Sequence, residues 1–198
     1  MKGFLKGPCE TEEAFALRIQ NLQPVADASW AKAQARTREL FGFAIDWVPL
    51  EYSNKKLPFW EGAATWISKN GPPRIQMREA FRKGKYLGYS RDEILAHESV
   101  HAARMAFDEP QFEEILAYQT SKSLLRRFLG PLFRRTGESA LFMVAIFLSL
   151  FFWPALLLPA YFLLRLLRNQ LIFYRCLKKY PLSFLVTLSD RDIVNLRN

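Results

Sequence analysis

Apolar residues recur along this chain in distinct rhythms, and each rhythm predicts a different element. Thr11 precedes a segment with Glu12 and Glu13 in its first turn, which predicts a helix over 11–22. In DASWAKAQARTRELF, Trp30, Ala33, Leu40 and Phe41 give a loose apolar face interrupted at Thr37. A helix over 27–41 is expected there, capped by Asp27. From Phe43 to Arg78 the texture changes to short aromatic or β-branched runs, AIDWVPLEY, AATWIS and RIQMR, separated by NKKLP and KNGPP. The separators are turn chemistry, so a small sheet is expected. RIQMR (Arg74–Arg78) reads either as an ordinary strand flanked by charge or as an edge to which an extended peptide adds. Ser90 and Glu93 then form S-x-x-E before an apolar-periodic stretch, predicting a helix from about Arg91 to Phe107. Pro110 suits the first turn of a following helix, which the pattern carries through QFEEILAYQTSKSLLRRFL to Gly130.

Periodicity disappears from Ser139 to Leu164, a run of 26 residues without a charge. As one helix it would measure ~39 Å, enough to cross a hydrocarbon core of about 30 Å. Trp153-Pro154 near its middle, and Pro159 beyond, equally allow a bent hairpin with both ends on one side. Five basic residues precede the run and five follow it, so the positive-inside rule gives no direction. The stretch LIFYRCLKKYPLSFLVTL reads as an interfacial amphipathic tail, with a short capped helix beginning at Ser189.

Charge sharpens this division. The chain carries a net +9, yet residues 1–121 hold 16 basic and 16 acidic side chains, and residues 122–198 hold 12 and 3. The excess therefore brackets the apolar run, which points to a membrane lipid surface and away from nucleic acid. Two cysteines, Cys9 and Cys176, exclude a disulfide framework and a multi-cysteine metal site. The N-terminus has basic residues but no apolar core, so an exported N-terminal half is not expected and it should stay in the cytoplasm, at the cell or inner membrane.

The two histidines of the chain, His97 and His101, lie four apart with Glu98 between them: H-E-x-x-H. Random placement gives such a pattern about once in two thousand chains of ordinary composition. Four residues are one helical turn, so both imidazoles project from one face and can hold one Zn²⁺ at about 2.0–2.1 Å. Glu98, roughly 100° around the helix, faces the open position, where it can take a proton from zinc-activated water. A third ligand must be a carboxylate, since no third histidine exists. Asp108, Glu109, Glu113 and Glu114 all follow closely. Helical periodicity alone does not separate Glu113 from Glu114.

This spacing resembles the gluzincin group of zinc metallopeptidases, in which the glutamate ligand comes from a later helix, often within E-x-x-A and a polar residue. The matching stretch is Glu114-Ile115-Leu116-Ala117-Tyr118. The resemblance covers about residues 75–121 and implies zinc on His97, His101 and Glu114, with Glu98 as base. Two departures stand out. Tyr118 sits where many members carry Asp or Asn, and the later oxyanion histidine of thermolysin-like members is missing. Tyr118, Arg104, Tyr86 and Tyr89 are the side chains that would substitute for it.

The expectation is therefore an α+β fold: a small zincin-like domain over 1–121, a basic juxtamembrane segment over 122–138, a span or hairpin over 139–167 and an amphipathic tail over 168–198. The expected function is a membrane-anchored zinc metallopeptidase acting on a protein or peptide. The alternative is a non-catalytic membrane hairpin or anchor whose histidine helix is structural or binds zinc without catalysis. Nothing in the pattern specifies an oligomeric state.

Overall fold

Local capping and apolar periodicity account for most of the helices. A computed structural model describes residues 2–22, 24–25, 30–68 and 71–197. Helix α1 (Glu12–Gln20) starts where Thr11 Oγ1 accepts the Ala14 N–H at 3.2 Å. Helix α2 (Ala31–Phe41) buries Ala33, Thr37 and Phe41 and stops at Gly42, whose φ of 76° is left-handed. Thr37 does not interrupt the buried face. Its hydroxyl donates to the Gln34 carbonyl at 3.2 Å, so it enters the core already satisfied. The expected cap Asp27 lies outside the described residues.

The sheet is mixed, with order β1-β3-β2. Strand β1 (Leu50–Tyr52) runs parallel to β3 (Gly71–Met77), and β2 (Ala63–Ser68) runs antiparallel to it. RIQMR is thus central, which corrects the edge reading; the flank nearest the histidines belongs to β2. Gly71, Pro72 and Pro73, expected in a turn, open β3. Prolines fit there because β1 pairs β3 only from Ile75 onward, leaving one side of the strand without a ladder to supply. Only Leu50–Tyr52 of AIDWVPLEY is a strand. The residues before it run irregularly through the core, with Phe43, Ile45, Trp47 and Val48 buried. Gln34 Nε2 serves the Ile45 carbonyl at 3.0 Å, the kind of partner that irregular buried backbone requires. A two-stranded hairpin of β4 (Lys85–Tyr86) and β5 (Tyr89–Ser90) leads into α3 (Arg91–Ala103).

Helix α3 begins as expected, with Ser90 Oγ accepting the Glu93 N–H at 3.2 Å. It ends before Phe107, at Arg104. The long helix expected after Pro110 is two: α4 (Glu113–Tyr118) and α5 (Leu124–Leu129). Polar side chains competing for backbone explain the break. Gln119 Nε2 donates to Ile115 O at 3.1 Å, Thr120 Oγ1 to Ala117 O at 2.7 Å, and Ser123 caps α5.

The charge-free run is a helical hairpin. Helix α6 (Thr136–Ser149) ends before an extended Phe152, and a short turn over Trp153–Leu156 precedes α7 (Leu157–Leu177). Pro154 lacks the N–H that α6 would need to continue, and its ring would meet the carbonyl four residues back. Pro159 sits in the first turn of α7, where no N–H is missed. The arms are antiparallel: Phe142 packs edge-on toward Phe133 and lies against Phe162, and Arg165 ion-pairs Glu138 at 2.6 Å. The stretch Trp153–Leu177 is long and apolar enough to cross a membrane by length and composition.

Residues 168–198 are not a separate tail. Ile172, Phe173, Cys176, Leu185, Val186 and Ile193 enter the same core as Ile75, Val100, Phe112 and Leu116. The hairpin returns the chain to the N-terminal half. There α7 packs Phe173 on Phe112, α8 (Leu182–Leu185) lies against α2, and α9 (Asp190–Asn195) against α7. The molecule is α+β, and its core is closed by both ends of the chain.

Candidate metal centre

Three ligand atoms converge between α3 and α4. His97 and His101 project from one face of α3, their Nε2 atoms 3.1 Å apart. Glu114, in the first turn of α4, brings Oε2 to 3.5 Å from His97 Nε2 and Oε1 to 3.5 Å from His101 Nε2. All three ligand atoms lie within 4.8 Å of one another, and the group could hold a metal ion. Two imidazoles and a carboxylate are a donor set suited to zinc with an open position.

Glu113 takes the other task. Its Oε1 lies 3.0 Å from His101 Nδ1, and its Oε2 accepts from Arg104 Nε at 2.6 Å. A carboxylate on Nδ1 fixes the ring and leaves Nε2 facing Glu114. Arg104 is itself buried, and its Nη1 donates to the carbonyls of Val186 and Leu188 at 2.6 and 3.0 Å. Asp190 adds a second tie by accepting the N–H groups of Gln111 and Phe112 at 2.7 and 3.1 Å. Glu109 accepts the Asp190 N–H at 2.6 Å, and Asp108 adopts φ 48° in the turn. Neither joins the ligand cluster.

Glu98 is buried, and its Oε2 accepts the Thr65 hydroxyl of β2 at 2.8 Å. The edge strand thereby holds the carboxylate in the cleft that the histidines line. Of the four candidates for an oxyanion partner, Arg104 and Tyr86 are engaged elsewhere, and Tyr118 is hydrogen-bonded to Tyr89. Arg104 is held by Glu113 and two carbonyls, and the Tyr86 hydroxyl donates to Phe59 O at 2.8 Å. Tyr118 lies edge-on to His97, ring centroids 4.5 Å apart, and lines the same cleft as Tyr89. Gly130 makes room for it, since a β-carbon there would come within 2.3 Å of the Tyr118 ring.

Electrostatics follow from three carboxylates around two imidazoles. Burial opposes charge on His101, but the Glu114 carboxylate, the hydrogen bond from Glu113 and the charges of Glu113 and Glu98 outweigh it, raising the imidazole to about 10. Burial pushes the Glu114 carboxyl up, and the His101 and His97 rings reverse this and hold it below its ordinary value. Burial, then the charge of Glu114, raises the Tyr118 phenol, so it remains a hydrogen-bond donor. The cluster favours a cation at its centre.

The group opens into a cleft of about 880 Å³. One side is formed by Gly62–Thr65 and Ile67 of the β2 flank. The lining also includes Phe133, Arg134, Arg135 and Ser139 at the foot of α6.

The chain matches no known family model, no curated protein and no solved structure.

Sequence reasoning brings together His97, Glu98, His101 and Glu114, and the fold does place them side by side. It misses Thr65, Arg104 as the partner of Glu113, and Asp190. Thr65 lies 33 positions from Glu98, and no local pattern joins a strand threonine to a helix glutamate.

Proposed function

We propose that this chain is a membrane-anchored zinc metallopeptidase of the gluzincin type. One observation carries the reading: the Glu114 carboxylate reaches both Nε2 atoms of an H-E-x-x-H helix at 3.5 Å. Zinc held there would supply Lewis acidity and make water nucleophilic near neutral pH. Glu98 is oriented by the Thr65 hydroxyl to accept the proton of that water and return it to the leaving amine. Glu113 keeps the His101 ring in place, and the Tyr118 phenol, paired with Tyr89, is the donor beside His97 for the developing oxyanion. The flank of β2 and the aromatic cleft provide the wall along which a peptide would lie.

The anchor in this reading is the α6–α7 hairpin. Met143, Phe147, Leu150, Phe151, Trp153, Leu157 and Leu164 expose their side chains around it, the kind of apolar surface that marks a membrane or partner contact. The apolar part of α6, Gly137–Ser149, extends only about 20 Å at 1.5 Å per residue, short of a hydrocarbon core of about 30 Å. The last turns of α7 are committed to the core. A hairpin entering from one side satisfies both facts.

The test is hydrolysis of an unfolded protein substrate by full-length protein in detergent, with zinc content measured in parallel. Wild type should bind one zinc and cleave; Glu98→Gln should bind zinc and not cleave, because the amide cannot accept the proton. Zinc-bound protein that cleaves nothing would favour the alternative, a hairpin protein whose metal group is structural.

A further inference from the structure

The cleft and the hairpin share residues. Phe133, Arg134, Arg135 and Ser139 line the cleft and are also the foot of α6. The exposed apolar surface of α6 begins at Leu141. Six residues separate it from Arg135, about 9 Å of helix rise. That is close to the depth of the headgroup layer on one side of a bilayer. When the apolar arms are immersed, this part of the cleft lies at headgroup level.

The chemistry of this part suits that position. Arg134 is half-buried and Arg135 exposed, and among the described residues neither guanidinium has a hydrogen bond or an ion pair. The nearby Glu138 is already committed to Arg165 at 2.6 and 2.7 Å. Arg134 feels the Glu138 and Asp190 carboxylates at a distance, but two arginines without a direct ion pair beside an apolar hairpin match the phosphates of an anionic bilayer surface. The walls beyond them are apolar and aromatic: Phe133, Tyr89, Ile94, Leu87 and Ile67. Glu98, Glu113 and Glu114 make the lining beside the histidines acidic. A soluble peptide has no reason to enter from the lipid side. A chain leaving the bilayer meets this mouth first.

Resting on the peptidase reading, we propose that the substrates are membrane proteins, cut in the extended segment just outside the bilayer, which enters the cleft past Phe133 and Arg134. The histidines and the foot of α6 line one cleft, and an extended chain spans at most about 3.4 Å per residue. Cleavage should therefore fall within roughly ten residues of the transmembrane helix.

Full-length protein reconstituted in phosphatidylcholine vesicles containing phosphatidylglycerol provides the test. Three quenched fluorogenic peptides share one mixed apolar cleavage region. One is attached to a Leu-rich transmembrane helix by a spacer of about six residues, one by about thirty, and one is free. Cleavage of the short-spacer peptide should exceed that of the other two at least tenfold. Arg134→Glu with Arg135→Glu should reduce that preference. Binding of the same peptides to the Glu98→Gln protein, read by energy transfer in the vesicles, gives the order without catalysis. Equal cleavage at short and long spacers, or faster cleavage of the free peptide, overturns the inference and leaves the peptidase standing. Short-spacer binding without any cleavage by zinc-loaded wild type retires the peptidase and keeps the membrane-side mouth. Neither binding nor cleavage overturns both.

Discussion

Arg104 holds Glu113 through a 2.6 Å hydrogen bond from Nε to Oε2, and that contact decides which of two adjacent glutamates faces the histidines. With Glu113 turned to Arg104 and His101 Nδ1, Glu114 is the carboxylate left for the two Nε2 atoms. Arg104 also reaches the carbonyls of Val186 and Leu188, so the far end of the chain supports the centre.

The two glutamates should therefore separate experimentally. His97→Ala, His101→Ala and Glu114→Ala should each abolish stoichiometric zinc binding. Glu113→Ala should weaken affinity by about 10- to 100-fold, the usual effect of losing a carboxylate behind a ligand histidine. Competition titration against a chromophoric chelator reads both. Zinc lost in Glu113→Ala and kept in Glu114→Ala would reverse their roles.

Thr65→Val should leave zinc bound and lower turnover, because Glu98 loses the hydroxyl that orients it. Thr65→Ser should retain most of the activity. A drop in kcat without a change in zinc content is the expected signature.

Gly130→Ala places a methyl 2.3 Å from the Tyr118 ring. The ring is backed by His97, so the clash should destabilise the fold by about 1–3 kcal/mol, as overpacking does. Gly137→Ala is the control, since a β-carbon there meets nothing within 4 Å. Denaturant midpoints of the two variants should move apart.

A chain ended at Ser121 should not fold cooperatively. It loses Phe173, Cys176, Leu185, Val186 and Ile193 from the core and leaves Arg104 buried without its two carbonyls. The ion pair of Arg104 with Glu113 remains, but each lost hydrogen bond to the charged guanidinium costs roughly 1.5–3 kcal/mol. Replacing residues 141–162 with a short Gly-Ser loop should instead give a soluble protein that still binds zinc. The Glu138–Arg165 ion pair already holds the two cut ends side by side. Sedimentation with vesicles and thermal unfolding check the pair.

Asp190 sets a pH dependence. Burial raises its carboxyl to about 6 from 3.8, against the Gln111 and Phe112 N–H groups, which lower it; Glu109 adds to the rise and Arg104 opposes it. A carboxyl raised by folding binds its proton more tightly in the native state. Its contribution is present in full below about pH 4 and is lost as pH rises through 6, on the order of 2–3 kcal/mol. Asp190→Asn should flatten that part of the stability profile between pH 4 and 7, measured by urea unfolding. An unchanged slope would place the titration elsewhere.

What the sequence by itself determined is local. Thr11 and Ser90 announced their helices because a cap acts within three residues. H-E-x-x-H announced two imidazoles on one face because one helical turn brings them together whatever surrounds the helix. The apolar run announced a membrane-seeking segment by composition alone. The tertiary structure decided everything that depends on residues distant in the chain. It chose Glu114 over Glu113 through Arg104, and it joined Thr65 to Glu98 across 33 positions. It divided the helix after Pro110 where Gln119, Thr120 and Ser123 had partners to take. It also folded 168–198 into the core, because a hairpin bent at Pro154 returns the apolar face of Ile172, Phe173 and Cys176 to Phe112. Helical periodicity states that a face is apolar; only the path of the whole chain states what that face meets.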